Sequence, residues 1–150
     1  LVHAEGGRLT VCATDAIAEQ IENLQDVLGE GPGPEAYESG EVVSVSLEGD
    51  QSERWPKFAG AARSALGPVT IHAIPMRARG RDLGVLTLHQ QQSRPLARPM
   101  REVRFLANAI GVALAGDRAE SSDTLRSARD RISRGAGMVV AQLAVSPEDA

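Results

Sequence analysis

Three histidines and one cysteine are the only imidazole and thiol groups in the 150-residue chain: His3, His72, His89 and Cys12. These are the side chains that hold zinc or act as nucleophile and base near neutral pH. Their spacing serves neither use. No pair falls at the HxxxH or CxxC spacing that brings two ligands to one metal. His72 and His89 fall on neighbouring predicted strands and could meet, but a structural zinc site wants four ligands. Cys12 has no second thiol, so neither an internal disulfide nor a relay between two thiols can form. No Arg or helix start adjoins it in sequence to favour the thiolate. No GxSxG elbow surrounds a serine. The run Gly29, Glu30, Gly31, Pro32, Gly33 follows a helical pattern rather than a strand and lacks the Lys and Ser/Thr of a phosphate loop. The 20 acidic side chains sit in polar context, so no carboxylate pair stands out for acid–base work. The expectation is a protein that is not an enzyme.

Aromatic side chains number one Trp, one Tyr and two Phe. Such scarcity argues against the base-stacking surface of an RRM or single-strand-binding fold. Yet Tyr37, Trp55 and Phe58 fall together in the middle of the chain. They either line a small-molecule cleft or close one face of a sheet.

The elements that must position these residues are legible from periodicity. Residues 1–3 read as the end of a strand, Glu5, Gly6 and Gly7 as a turn, and residues 8–13 as a strand that holds Cys12. Thr14 and Asp15 can cap a helix in which Ile17, Ile21, Leu24 and Leu28 form one stripe, stopped by Gly29. Residues 29–34 are too rich in Gly and Pro for regular structure. Residues 41–47 read as a strand with Val43, Val45 and Leu47 alternating. Pro56 opens a helix with Phe58, Ala62, Ala65 and Leu66 inward, and Gly67 ends it. Residues 69–77 and 82–90 are strands joined by a turn at Arg79 and Gly80. Pro75 marks an edge, a bulge or a strand end, and Gly84 a close backbone approach. From Pro99 a long helix carries Val103, Leu106, Ile110 and Leu114 on one stripe. A second stripe follows at Leu125, Ala128, Ile132, Val139 and Leu143. A helix continuous over residues 99–134 would reach roughly 54 Å, more than a small domain covers with its own body. A second copy of the chain is the simplest cover. Ser146, Pro147, Glu148 and Asp149 form a helix-start signature at the chain's end.

Charge divides the chain. Residues 1–93 carry 7 basic and 13 acidic groups, whereas residues 94–134 carry 9 Arg against 5 acids. The basic part is either a solvated helix face or a surface for an anion such as RNA. Apolar residues at 42% suffice for a core. The longest apolar run is too short to span a bilayer, and no signal peptide opens the sequence, so a cytoplasmic protein with no membrane partner is expected.

Three pieces then fit together. The first is Leu28, Gly29, Glu30, Gly31 and Pro32, followed by Ala36, Tyr37, Gly40, Val42 and Val43. The second is Arg54, Trp55, Pro56, Lys57 and Phe58, with Ala62 and Gly67. The third is Ile71, His72, Ala73, Ile74, Pro75, Met76 and Arg77, then Gly80 and the strand from Leu83 to Leu88. Together they resemble the GAF domains of actinobacterial GAF–ANTAR regulators. Arg129, Ile132, Gly135, Gly137, Met138, Leu143, Val145, Ser146 and Ala150 are similar to the start of an ANTAR domain, with Gly135 where that pattern usually has Ala. The resemblance implies a division at residues 1–117 (GAF-like) and 118–150 (a partial ANTAR-like helical segment). It implies that the first GAF helix, most of the first strand and the later ANTAR helices are missing. The fold class it implies is α+β, an antiparallel sheet flanked by helices with a ligand cleft, followed by a C-terminal helical segment. It implies a signal sensor that takes an unidentified small molecule, works as a homodimer through the C-terminal helices and acts on RNA in transcription antitermination. Tyr37, Trp55, Phe58 and His72 are the candidate cleft residues, and Arg126, Arg129 and Arg134 the candidate RNA-facing positions; no particular cofactor is implied. Two other readings stand beside it. One is a ligand-free GAF that serves as a dimerisation or interaction platform. The other is the methionine sulfoxide reductase chemistry of one GAF lineage, against which the lone Cys12 counts.

Overall fold

A computed structural model describes residues 2–4, 7–10, 12–48, 54–78, 80–91 and 96–117. Nine elements follow in chain order: β1 (Val2–Ala4), β2 (Gly7–Leu9), α1 (Ala16–Leu28), α2 (Pro32–Ser39), β3 (Val43–Ser46), α3 (Pro56–Leu66), β4 (Val69–Ala78), β5 (Arg81–Gln91) and α4 (Met100–Asp117). The strands form one antiparallel sheet in the order β2-β1-β5-β4-β3. The α+β class is as the sequence implied. Arg126, Arg129, Arg134 and all of residues 118–150 lie outside the described residues.

α1 begins where Asp15 accepts a hydrogen bond from the Ala18 N–H at 2.7 Å, and it ends at Gly29 in the left-handed region. The expectation of irregular structure over residues 29–34 is corrected: α2 starts at Pro32. Pro32 and Pro34 both fall in its first turn, where no intrahelical N–H is called for, so neither proline costs a helix bond. The remaining donor of that turn, Gly33 N–H, gives its bond to the buried Gln25 Oε1 of α1 at 2.6 Å. A Cβ on Gly31 or Gly33 would stand 2.8 Å from the Gln25 side chain, so the glycines admit that contact. The expected strand over residues 8–13 is also shorter. β2 stops at Leu9, and Cys12 lies outside any strand, partly buried.

β4 and β5 carry the long ladder. Pro75 lies past the stretch of β4 that pairs with β3, and the ladder shifts register between Met76 and Arg77. The residue without an N–H therefore sits at a local edge beside a bulge. Alternation along the strands sends side chains to two faces. Val69, Ile71, Ala73 and Val85 meet Ile21 of α1, Ala36 of α2 and Phe58 of α3 on one face. Ile74 and Met76 meet Val103 and Ala107 of α4 on the other, with Leu86, Leu88, Ile110 and Leu114 partly buried around them. α4 comes close at Gly111, where a Cβ would lie 3.1 Å from Met76 Cβ. Asn108 Oδ1 fixes its height by accepting the Arg77 N–H at 2.8 Å.

α3 has an unusual cap. Trp55 stands at its N-cap with no side-chain hydrogen bond. Glu30, from the turn after α1, fills the role from 27 and 28 residues away: one carboxylate oxygen accepts from Lys57 N–H at 2.6 Å and Phe58 N–H at 2.9 Å. Replacing Glu30 by Ala strands two first-turn donors. Loss of a cap costs about 1–2 kcal/mol. Urea unfolding of Glu30→Ala should show a loss in that range, with most of it recovered in Glu30→Gln, which keeps the acceptor.

Candidate functional site

The face under α1, α2 and α3 holds three of the four aromatic side chains, Tyr37, Trp55 and Phe58. Trp55 and Phe58 are buried in an edge-to-face pair, ring centres 6.5 Å apart and planes at 86°. Tyr37 of α2 packs against the same core. Arg54 lies 5.0 Å from the centre of the Trp55 ring and pairs with Glu35 of α2. Three of the four candidate cleft residues thus share one face. His72 does not. It is paired with Ser44 and Leu88 across the sheet, and its side chain lies on the α4 face. There Nδ1 stands 2.8 Å from Ser44 Oγ. His72 and His89 also fail to meet, because Ile71, and not His72, is the partner of His89.

Sequence reasoning missed two polar groups on the aromatic face. Thr87 and His89 of β5 lie two residues apart and so emerge on the same side. Thr87 Oγ1 and His89 Nε2 are both buried without a hydrogen-bond partner. The His89 side chain is only 8% exposed, with Nε2 3.5 Å from Asp15 Oδ2, an ion pair when the ring is protonated. Asp15 is the residue that caps α1 through its other oxygen. A buried donor or acceptor without a partner costs about 1–3 kcal/mol, which a polar ligand atom would recover. The signal in the sequence was faint but present. In the β5 segment Leu, Thr, Leu, His, the polar pair alternates with the apolar pair, and the polar pair points to a face otherwise lined by Val and Ile.

The α4 face carries its own polar strip, Thr70, His72 and Gln90, beside Leu88 at the margin of the apolar cluster under α4. Burial holds the His72 imidazole below its ordinary value, and the Gln90 side chain opposes this less strongly. Among the described residues, no three His, Cys, Asp or Glu side chains come together to hold a metal ion. Among them, too, no helix is long and apolar enough to cross a membrane. The profile of the GAF domain family matches residues 3–114. Neither a curated protein nor a solved structure matches the chain.

The burial of His72 has a pH consequence. Unfolding lets the ring take a proton that the folded protein resists. Its contribution is complete above the ordinary value of 6.5 and is lost as pH falls below it. Unfolding free energies measured from about pH 7.5 to about pH 5 should therefore fall more steeply for the parent chain than for His72→Gln. Equal slopes would show that the imidazole titrates alike in both states.

Proposed function

The chain belongs to the GAF domain family, a class of sensory and regulatory modules, and from that premise we propose a cytoplasmic receiver of a small-molecule signal that is not an enzyme. The observation that carries the reading is the pair of buried, unsatisfied atoms Thr87 Oγ1 and His89 Nε2, set beside the carboxylate that caps α1. A ligand with a donor and an acceptor would satisfy both. It would also compete for Asp15 and so loosen or tighten the start of α1.

The route outward runs through β5. Leu86 and Leu88 alternate with Thr87 and His89 and pack around the core beneath α4. A ligand that moves this strand on one face shifts the seat of α4 on the other, biasing one helix position over another. Downstream, the ANTAR-like pattern of residues 118–150 and its basic positions Arg126, Arg129 and Arg134 support an output on RNA, with antitermination as the result. The resemblance to actinobacterial GAF–ANTAR regulators supports a homodimer held through the C-terminal helices. A second reading, a ligand-free platform, is favoured by Trp55 and Phe58, whose rings are spent on the core.

Thermal melting of the chain against nucleotides, haem and small metabolites separates the two. A true ligand at about a hundred times its Kd adds about 2.7 kcal/mol, and the melting temperature rises by several degrees. The rise should vanish in Thr87→Val and in His89→Leu. No rise across the panel favours the platform. In parallel, titration of a dual stem-loop RNA should show binding that weakens with salt and in Arg126→Ala, Arg129→Ala and Arg134→Ala. Unchanged binding in all three would remove the RNA output.

A further inference from the structure

The shift in the β4–β5 ladder does more than accommodate Pro75. Met76 pairs with Gly84 and Arg77 with Asp82, so Leu83 of β5 is the extra residue of a bulge. α4 sits on this spot. A Cβ on Gly111 would lie 3.1 Å from Met76 Cβ and 3.3 Å from Leu83 Cδ1, so the helix backbone lies against both. Three residues earlier on α4, Asn108 Oδ1 takes the Arg77 N–H at 2.8 Å. The Arg77 side chain leaves for the other layer. Its guanidinium fills the space beside Gly40, at the end of α2, where a Cβ would run into Nη2. Asp82 holds it there by accepting from Nε, and Glu41 is a second acid close by. α2 has no basic residue in its own last turn. Arg77 supplies that cation from β4, at the carbonyl end of the helix. One residue thus touches a helix of each layer, α4 through its backbone and α2 through its side chain.

We propose that Arg77 is a positioning residue that couples α2 to α4, with the bulge as the joint. The ladder is locally disrupted at a bulge, so the strands can shift there with few bonds to break. A displacement of the end of α2 presses on the guanidinium, and the backbone of residues 76 and 77 carries it to Asn108 and Gly111. Gly40 makes the contact close. It stands in the left-handed region at φ 66° and has no side chain to hold Arg77 off. The exposed ion pair with Asp82 adds little stability of its own; it aims the guanidinium. Any signal passed on rests on the receiver reading above, since α2 carries Tyr37 on the aromatic face. The coupling itself needs no ligand.

Hydrogen exchange of the full chain tests this with a double-mutant cycle. Protection is read amide by amide, relative to the β4–β5 ladder amides that report global unfolding. Gly40→Ala adds a Cβ where the guanidinium lies. It should lower protection of the residue 77 N–H and of the α4 amides around Asn108 and Gly111 severalfold. Arg77→Ala keeps the N–H that Asn108 accepts and removes the arm to α2. Gly40→Ala placed in that background should therefore leave α4 protection unchanged. Coupling is reciprocal. Asn108→Ala should lower protection of the Gly40 N–H, which bonds to Ala36 O at 3.0 Å, and should cease to do so once Arg77 is replaced by Ala. This reverse cycle decides the matter should Gly40→Ala fail to fold. Equal losses with and without Arg77 overturn the proposal, as does, in the cycle that is read, no loss at all. A compound that raises the melting temperature yet leaves the residue 77 N–H unchanged spares the receiver and removes this coupling. A cycle that shows coupling in a chain no compound stabilises supports the joint and removes the receiver.

Discussion

The antiparallel register of β4 against β5 is the constraint on which the remaining architecture hangs. Because successive side chains of a strand point to opposite faces, two long strands in fixed register sort their residues into two layers at once. Val69, Ile71, Ala73 and Val85 go to the α1–α3 layer, and Ile74 and Met76 go to α4. Each layer buries its own apolar cluster, and neither cluster is available without the other, since both are threaded on the same strands. The one irregularity in the ladder, between Met76 and Arg77, falls next to Pro75, where a missing N–H makes a continuous ladder least rewarding.

The helices over the aromatic face are held less by their own sequences than by side chains borrowed from one another. Gln25 of α1 takes the free N–H of α2, and Glu30 takes two free N–H groups of α3. Each bond satisfies a donor that helix geometry leaves without an internal partner. The glycines at 31 and 33 belong to the same device, because side chains there would fill the space that Gln25 occupies. Three short helices and the turns between them thus behave as one cap over the sheet.

The two faces differ in chemistry as well as in cover. On the sheet side of the aromatic face Thr87 and His89 place buried polar atoms among Val, Ile and Ala, and α1 adds the buried Glu22 and Gln25. The α4 face is apolar near Met76 and Ile74 and polar near Thr70, His72 and Gln90. α4 covers the apolar part with one stripe. Both β4 and β5 carry residues of the two faces, so both strands link the two layers.

Much of the fold was legible in the chain. Asp15 and Gly29 bracket α1, Pro56 and Gly67 bracket α3, and alternation marks β3, β4 and β5, because caps and periodicity are local properties of a few neighbouring residues. α2 was hidden, since two prolines in five residues usually signal a loop, and only their position in the first turn makes them harmless. Of the candidate residues, Tyr37, Trp55 and Phe58 share one face, while His72 and His89 take opposite faces. That outcome belonged to the tertiary structure. The ladder shifts by one residue near the hairpin, so His72 faces Leu88 and not Thr87. A shift of a single residue moves a side chain from one face of the sheet to the other, and nothing local to His72 records where in the ladder it occurs.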